Sequence, residues 1–137
     1  MVGVSRQLPN FAYYKKRDRY IADSLLVDLY RVSGYKVVGI TSHDISTYRK
    51  NKGSNWGILG LGSNPGKTCV VSYYRMESKN TQTFVYRVDQ VVLHEVGHTF
   101  GLEHCDDNQC LMKAGDGSIY DLDHTPLRLC EICKKKL

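Results

Sequence analysis

His94-Glu95-Val96-Gly97-His98-Thr99-Phe100-Gly101-Leu102-Glu103-His104 is the stretch on which the reading turns. Before it, Val85, Val88, Val92 and Val96 recur at steps of three, four and four, the spacing of one helix face. The expected helix starts near Thr83, with Thr81 or Thr83 as cap, and ends at Gly101. Residues four apart on a helix share a face, so His94 and His98 can point at one metal ion. Neutral imidazole is a good zinc ligand, with Zn–N of about 2.0–2.1 Å. Glu95 follows the first ligand without being one, which suits a general base acting on water at the metal. A straight helix would carry His104 away from the other two histidines. Gly101 can adopt a positive φ and turn the chain back. Three histidines leave a zinc coordination position open, as catalysis requires and a structural site does not.

Beyond this core, the cysteines are the next signal. Four of the five, Cys105, Cys110, Cys130 and Cys133, lie after His104. They can form two disulfides or one four-thiolate metal site. The Cys130-x-x-Cys133 pair favours metal or redox chemistry in a reducing compartment, and metal is the preferred reading. Between them Asp106-Asp107-Asn108, Gly115, Gly117 and Pro126 interrupt regular structure, apart from short helical turns expected near Thr125–Cys130. A tail with so little core of its own needs the stability a metal supplies. Cys69, among Val70 and Val71, reads as a buried, inert thiol.

The eleven-residue string is the signature of the metzincin metallopeptidases. Its continuation narrows the resemblance. Cys105 follows His104 directly, then come four residues, Cys110, one residue, Met112, seventeen residues, Cys130, two residues and Cys133. From His94 to Cys133 the sequence resembles the archaemetzincin family, and more loosely so over about 8–74. The resemblance implies an α+β fold: a twisted mixed β-sheet with packed helices, an active-site helix and a loop-rich, zinc-stabilised C-terminal subdomain. It implies a catalytic zinc on His94, His98 and His104, with Glu95 as the catalytic general base and acid. It implies Met112 as the Met-turn residue beneath that metal, and a structural zinc on Cys105, Cys110, Cys130 and Cys133. Two zinc ions per molecule and a peptide or protein substrate follow. Family members also carry a further N-terminal strand and helix, which the residues before Pro9 do not match.

Upstream, Ile21, Leu25, Leu29 and Val32 predict a helix over about 18–32, stopped at Gly34. Tyr35–Ile40 and Thr68–Arg75 read as strands, 42–55 as a polar loop, and Asn64-Pro65-Gly66 as a turn. Trp56–Leu61 reads as a short strand, and the family resemblance makes it the candidate antiparallel edge strand above the cleft, where an extended peptide could pair. The glycines at 57, 60 and 62 are only a weak phosphate-loop signal, lacking a lysine-serine ending. His43 reads as a surface or hydrogen-bonding histidine. His124 is a minor candidate for substrate contact, and Tyr120 does not fit the spacing of a zinc-reaching tyrosine.

The length of 137 residues points to one domain, with about 1–101 forming an upper part and about 102–137 a cysteine-rich subdomain. With 42% hydrophobic and 24% charged residues the protein is expected to be globular. No apolar run approaches the roughly 18–20 residues of a membrane span, and MVGVSRQLPN has no signal-peptide core. A cytoplasmic, monomeric protein without membrane or nucleic-acid partners is expected. The net charge of +5 is mild, and the basic residues cluster at Lys15–Arg19, Arg49–Lys52 and Lys134–Lys136. A competing reading is a zinc-stabilised binding module contacting nucleic acid through the tail, against which Glu95 and the third histidine speak. A third is a catalytically weak, peptide-binding relic of a peptidase.

Overall fold

A computed structural model describes residues 3–137. Its seven strands are β1 (Tyr13–Tyr14), β2 (Arg19–Ile21), β3 (Val37–Thr41), β4 (Ile45–Arg49), β5 (Gly53–Ile58), β6 (Gly60–Gly62) and β7 (Thr68–Ser72). The helices are α1 (Ala22–Tyr30), α2 (Thr81–Thr99), α3 (Ile119–His124) and α4 (Glu131–Lys135). The mixed β-structure divides into two sheets, ordered β1-β2-β4-β5 and β3-β7-β6. In the first, only β2 and β4 run parallel; in the second, β3 and β7 run parallel while β6 pairs antiparallel with β7 at the edge.

β7 organises the core. All five of its residues are buried, which explains its continuous apolar and β-branched reading. Successive side chains face opposite sides. Val70 joins Ala22, Leu25, Ile45 and Ile58 under α1, while Val71 joins Met76 and Val91 under α2. The strand stops at Ser72, short of the expected Arg75, and the backbone turns so that Tyr73 meets Phe84 edge-on.

Three expectations are corrected. Residues 42–55 hold most of a β-hairpin rather than a loop, because Ile45 and Ile58 pair across β4 and β5 and are both buried, while most of the other residues are polar or glycine. The helix expected from Asp18 begins at Ala22. Asp18 takes a left-handed conformation (φ 49°), and Arg19–Ile21 are drawn into the sheet, where Tyr20 and Ile21 pair with Ile45 and Ser46. The turns expected at Thr125–Cys130 fall on either side of it, as α3 and α4.

α2 starts two residues earlier than expected. Asn80 caps it, its Oδ1 accepting from Thr83 N–H at 3.1 Å. Its buried face is also rotated from the valine line. Val85 is exposed, whereas Arg87, Gln90, Val91, Glu95 and Thr99 are buried. The C-terminal segment supplies partners for two of the polar members. Arg87 makes a two-pronged pair with Asp123, and Gln90 Nε2 donates to the Thr125 carbonyl at 2.8 Å. No helix among the described residues is long and apolar enough to cross a membrane.

Candidate active site

α2 ends in a Schellman closure. Gly101 N–H donates to the His98 carbonyl (2.8 Å) and Leu102 N–H to the Gly97 carbonyl (3.1 Å). Gly101 has φ +89°, the conformation expected of it, and the reversed backbone brings His104 back to the helix. The imidazole centroids of His94, His98 and His104 lie 4.8 to 5.4 Å apart. One ring nitrogen from each lies within 4.8 Å of the others.

The rings are aimed from behind. His94 Nδ1 is 2.8 Å from the Leu111 carbonyl and His98 Nδ1 is 2.7 Å from the Leu102 carbonyl, so both Nδ1 atoms carry the proton. That leaves Nε2 of each as a lone-pair donor, the arrangement of a ligating histidine. The Asn64 amide also donates to the Leu102 carbonyl (3.1 Å) and steadies it. Burial pushes His94 down to about 4, and burial with the neighbouring His98 lowers His104. Both are therefore neutral at pH 7, the form that binds metal. This donor set fits zinc with a coordination position to spare.

Glu95 lies on the floor of the cleft, only 8% exposed. Burial pushes its carboxyl up to about 8, opposed by a hydrogen bond from the Gly62 backbone. Gly60 and Gly62, two apart on β6, present one hydrogen-only face to α2. A Cβ on Gly60 would stand 2.7 Å from Glu95 Cγ, and one on Gly62 would stand 2.6 Å from the Glu95 carbonyl oxygen. These glycines therefore permit close strand–helix approach rather than phosphate binding. Their alternation in a short strand was the signal that could have marked them.

Met112 is fully buried, with its sulfur under Gly97, where a Cβ would stand 2.5 Å away. It thus supports the helical turn between His94 and His98. Its carbonyl accepts from Cys105 N–H at 2.8 Å, tying this turn to the His104 loop.

The four tail cysteines gather separately. All are free thiols whose sulfurs lie within 4.8 Å of one another. Cys105 and Cys130 sulfurs are 3.8 Å apart. A disulfide needs about 2.05 Å. Four thiolates at about 2.3 Å around a tetrahedral zinc stand roughly 3.8 Å apart. Backbone N–H groups of Cys130 and Cys133 point at the sulfurs of Cys110 and Cys130. The Cys133 N–H bond leads in lowering Cys130 to about 7. Donor chemistry and spacing both fit a thiolate-bound zinc. Only Leu102, Cys110, Met112 and Cys133 form the buried centre here, a small core for this part of the molecule.

A cleft of about 350 Å³ runs along the histidines and Glu95, between β5–β6 on one side and Leu111–Thr125 on the other. Trp56, Gly57, Ile58 and Leu61 line it, but the single strand expected over Trp56–Leu61 is two, β5 and β6, broken at Leu59 and lying antiparallel at the edges of different sheets. Asn64, Arg75 and Gln90 also line it and were not legible from spacing. His43 stays outside, exposed and edge-on to Tyr20. His124 is stacked on Tyr120 with its Nδ1 on the Tyr120 carbonyl, and neither lines the cleft. Cys69 is buried, and desolvation holds its thiol up at about 12, consistent with an inert core residue.

A cleft with a three-histidine centre, a buried glutamate and a strand edge above it defines the class of zinc metallopeptidases. The sequence matches peptidase family M54 over residues 6–137, and the chain belongs to that family. An archaemetzincin of Halobacterium salinarum is 33% identical over 145 residues, spanning 98% of this chain and 80% of that protein. The crystal structure of archaemetzincin from Methanopyrus kandleri superposes with a TM-score of 0.83 at 34% identity, covering 94% of this chain and 69% of that one. That of Archaeoglobus fulgidus, complexed with malonate, gives 0.80 at 28% identity, covering 96% and 78%. The protein is a zinc metallopeptidase with an α+β metzincin-like fold, and its substrate is peptide or protein.

Proposed function

We propose that the protein hydrolyses peptide bonds at the three-histidine centre, with Glu95 as general base and then general acid. His94, His98 and His104 would hold the zinc, which when bound would supply Lewis-acid chemistry toward water and a carbonyl oxygen. Glu95 takes the proton of the attacking water and delivers it to the departing amine. Burial raises its proton affinity, which suits holding the proton in transit, and the Gly62 N–H favours the carboxylate that accepts it. The Leu111 and Leu102 carbonyls fix the imidazoles. The free edge of β6 offers backbone groups to an extended substrate. A second zinc on Cys105, Cys110, Cys130 and Cys133 would hold the tail that carries Met112 and the lower wall.

The observation that carries this reading is the buried Glu95 beside three convergent histidines on the floor of an open cleft. Its test is Glu95→Gln. The amide fills the same volume but cannot accept a proton. Turnover should fall by about 10²–10⁴ while fold and zinc content are retained. Wild-type turnover in a contaminant-free Glu95→Gln preparation would refute the mechanism.

A further inference from the structure

Beyond the histidines the strand-side wall of the cleft becomes cationic. Arg75, three residues after β7, reaches across to Gly57. A Cβ at Gly57 would stand 2.2 Å from Arg75 Nη2 and 2.7 Å from both Cζ and Nη1. The guanidinium therefore rests against the glycine backbone, where only a hydrogen fits.

It is fixed from one edge. Arg75 Nε and Nη2 donate to Asp44 at 3.0 and 2.9 Å, and Asp44 is only 8% exposed. Asp44 is shared, since Arg19 Nε lies 2.8 Å from its Oδ2. Two guanidiniums thus meet one carboxylate and leave one positive charge over. Arg75 Nη1 has no hydrogen-bond partner among the described residues, although the residue lines the cleft and its side chain is 38% exposed. Arg49, on the same wall, has no carboxylate partner among the described residues either. The facing wall differs. Its Lys113 is paired with Asp121, and Asp116 accepts from Ser118 N–H.

Resting on the peptidase reading, we propose that Arg75 is a specificity residue: its free Nη1 receives a carboxylate of the peptide two to three residues from the bond cut. The distance is bounded by the backbone that joins β5 to β6 through Leu59, the two strands lying in different sheets. Gly60 stands over Glu95, and Gly57 is three residues away. At about 3.3 Å per residue that is at most about 10 Å, two or three residues of an extended peptide. The chemistry follows from the donor. A guanidinium held rigid on one edge and carrying uncompensated charge matches a carboxylate on the other. The side group of an Asp or Glu and the C-terminus of a peptide both supply that group.

Four otherwise identical peptides separate the sources. Two carry Glu or Gln at that position within a longer peptide, and two end there with a free or amidated C-terminus. The preferred carboxylate should raise kcat/KM about tenfold over its neutral partner, an advantage that shrinks with added salt. Arg75→Gln should bring the ratio near one. So should Gly57→Ala, which keeps every charge but displaces the guanidinium, and which guards against loss of fold on breaking the Asp44 pair. A ratio near one in the wild type, or one unchanged by both variants, overturns the proposal. The same peptides, fluorescently labelled, are titrated into Glu95→Gln to read binding without turnover. No wild-type cleavage, with a carboxylate preference in binding that Arg75→Gln abolishes, overturns the peptidase reading and leaves the anchor standing. Cleavage without preference does the reverse.

Discussion

Gly62→Ala probes the contact on which the proposed general base depends. The added Cβ would lie 2.6 Å from the Glu95 carbonyl oxygen and 3.1 Å from His98 Cβ. Ordinary contact begins at 3.4 Å, so β6 must retreat from α2 by 3.4 − 2.6, about 0.8 Å. The obstacle is helix backbone, which cannot swing aside as a side chain would. Retreat is resisted by β7, to which Gly62 is paired at Cys69. Overpacking of this kind costs about 1–3 kcal/mol. With an unfolding entropy of about 2.1 cal/mol/K per residue, the melting temperature should fall by roughly 3–10 °C. The same movement draws the Gly62 N–H away from the Glu95 carboxylate. A misplacement near 1 Å at a reacting group costs about a hundredfold, so kcat/KM on a peptide substrate should fall by about that factor. Zinc content should be largely retained, because the closest obstacle is the Glu95 carbonyl and the His98 ring stays held by the Leu102 carbonyl. The assays are thermal melting, peptide cleavage and metal analysis on one preparation. A variant that melts and cleaves like the wild type would show that β6 does not hold Glu95 in place.

Two further variants probe the tail and its attachment. Cys130→Ser should release one zinc per molecule on metal analysis and lower the melting temperature, while the histidine centre keeps its metal; unchanged zinc content would sink the four-thiolate assignment. Arg87→Met removes both bonds to Asp123 and those to the Met76 and Glu77 carbonyls, and should cost about 3 kcal/mol in denaturant unfolding. Arg87 holds the Asp123 carboxyl below its ordinary 3.8, so the pair stabilises the fold fully above that value and is lost as pH falls through the lowered one. The gap in stability between wild type and Arg87→Met should therefore stay level from about pH 5 to 8 and narrow below about pH 4; a gap that widened on acidification would contradict the assignment.

What residue spacing dictates here is whatever depends on short separations along the backbone. Four residues of helix put His94 and His98 on one face, and Gly101 could only serve as the turn that returns His104. Cys130 and Cys133 are close because two residues separate them. These constraints are local, so spacing transmits them whatever the rest of the fold does. The valine line on α2 failed for a complementary reason. Periodicity reports where apolar residues lie, but the buried face is polar, and it is buried because Asp123 and the Thr125 carbonyl come from 36 and 35 residues away to satisfy it. The β4–β5 hairpin was hidden in the same way, because Ile45 and Ile58 supply its part of the apolar core and each needs the other to be recognised. Packing, by contrast, closes Gly60 and Gly62 on Glu95, lays Met112 beneath Gly97, and carries Arg75 across to Gly57. Each is a contact between elements distant in sequence, and residue spacing, even where it marks a glycine pair, names no partner for it.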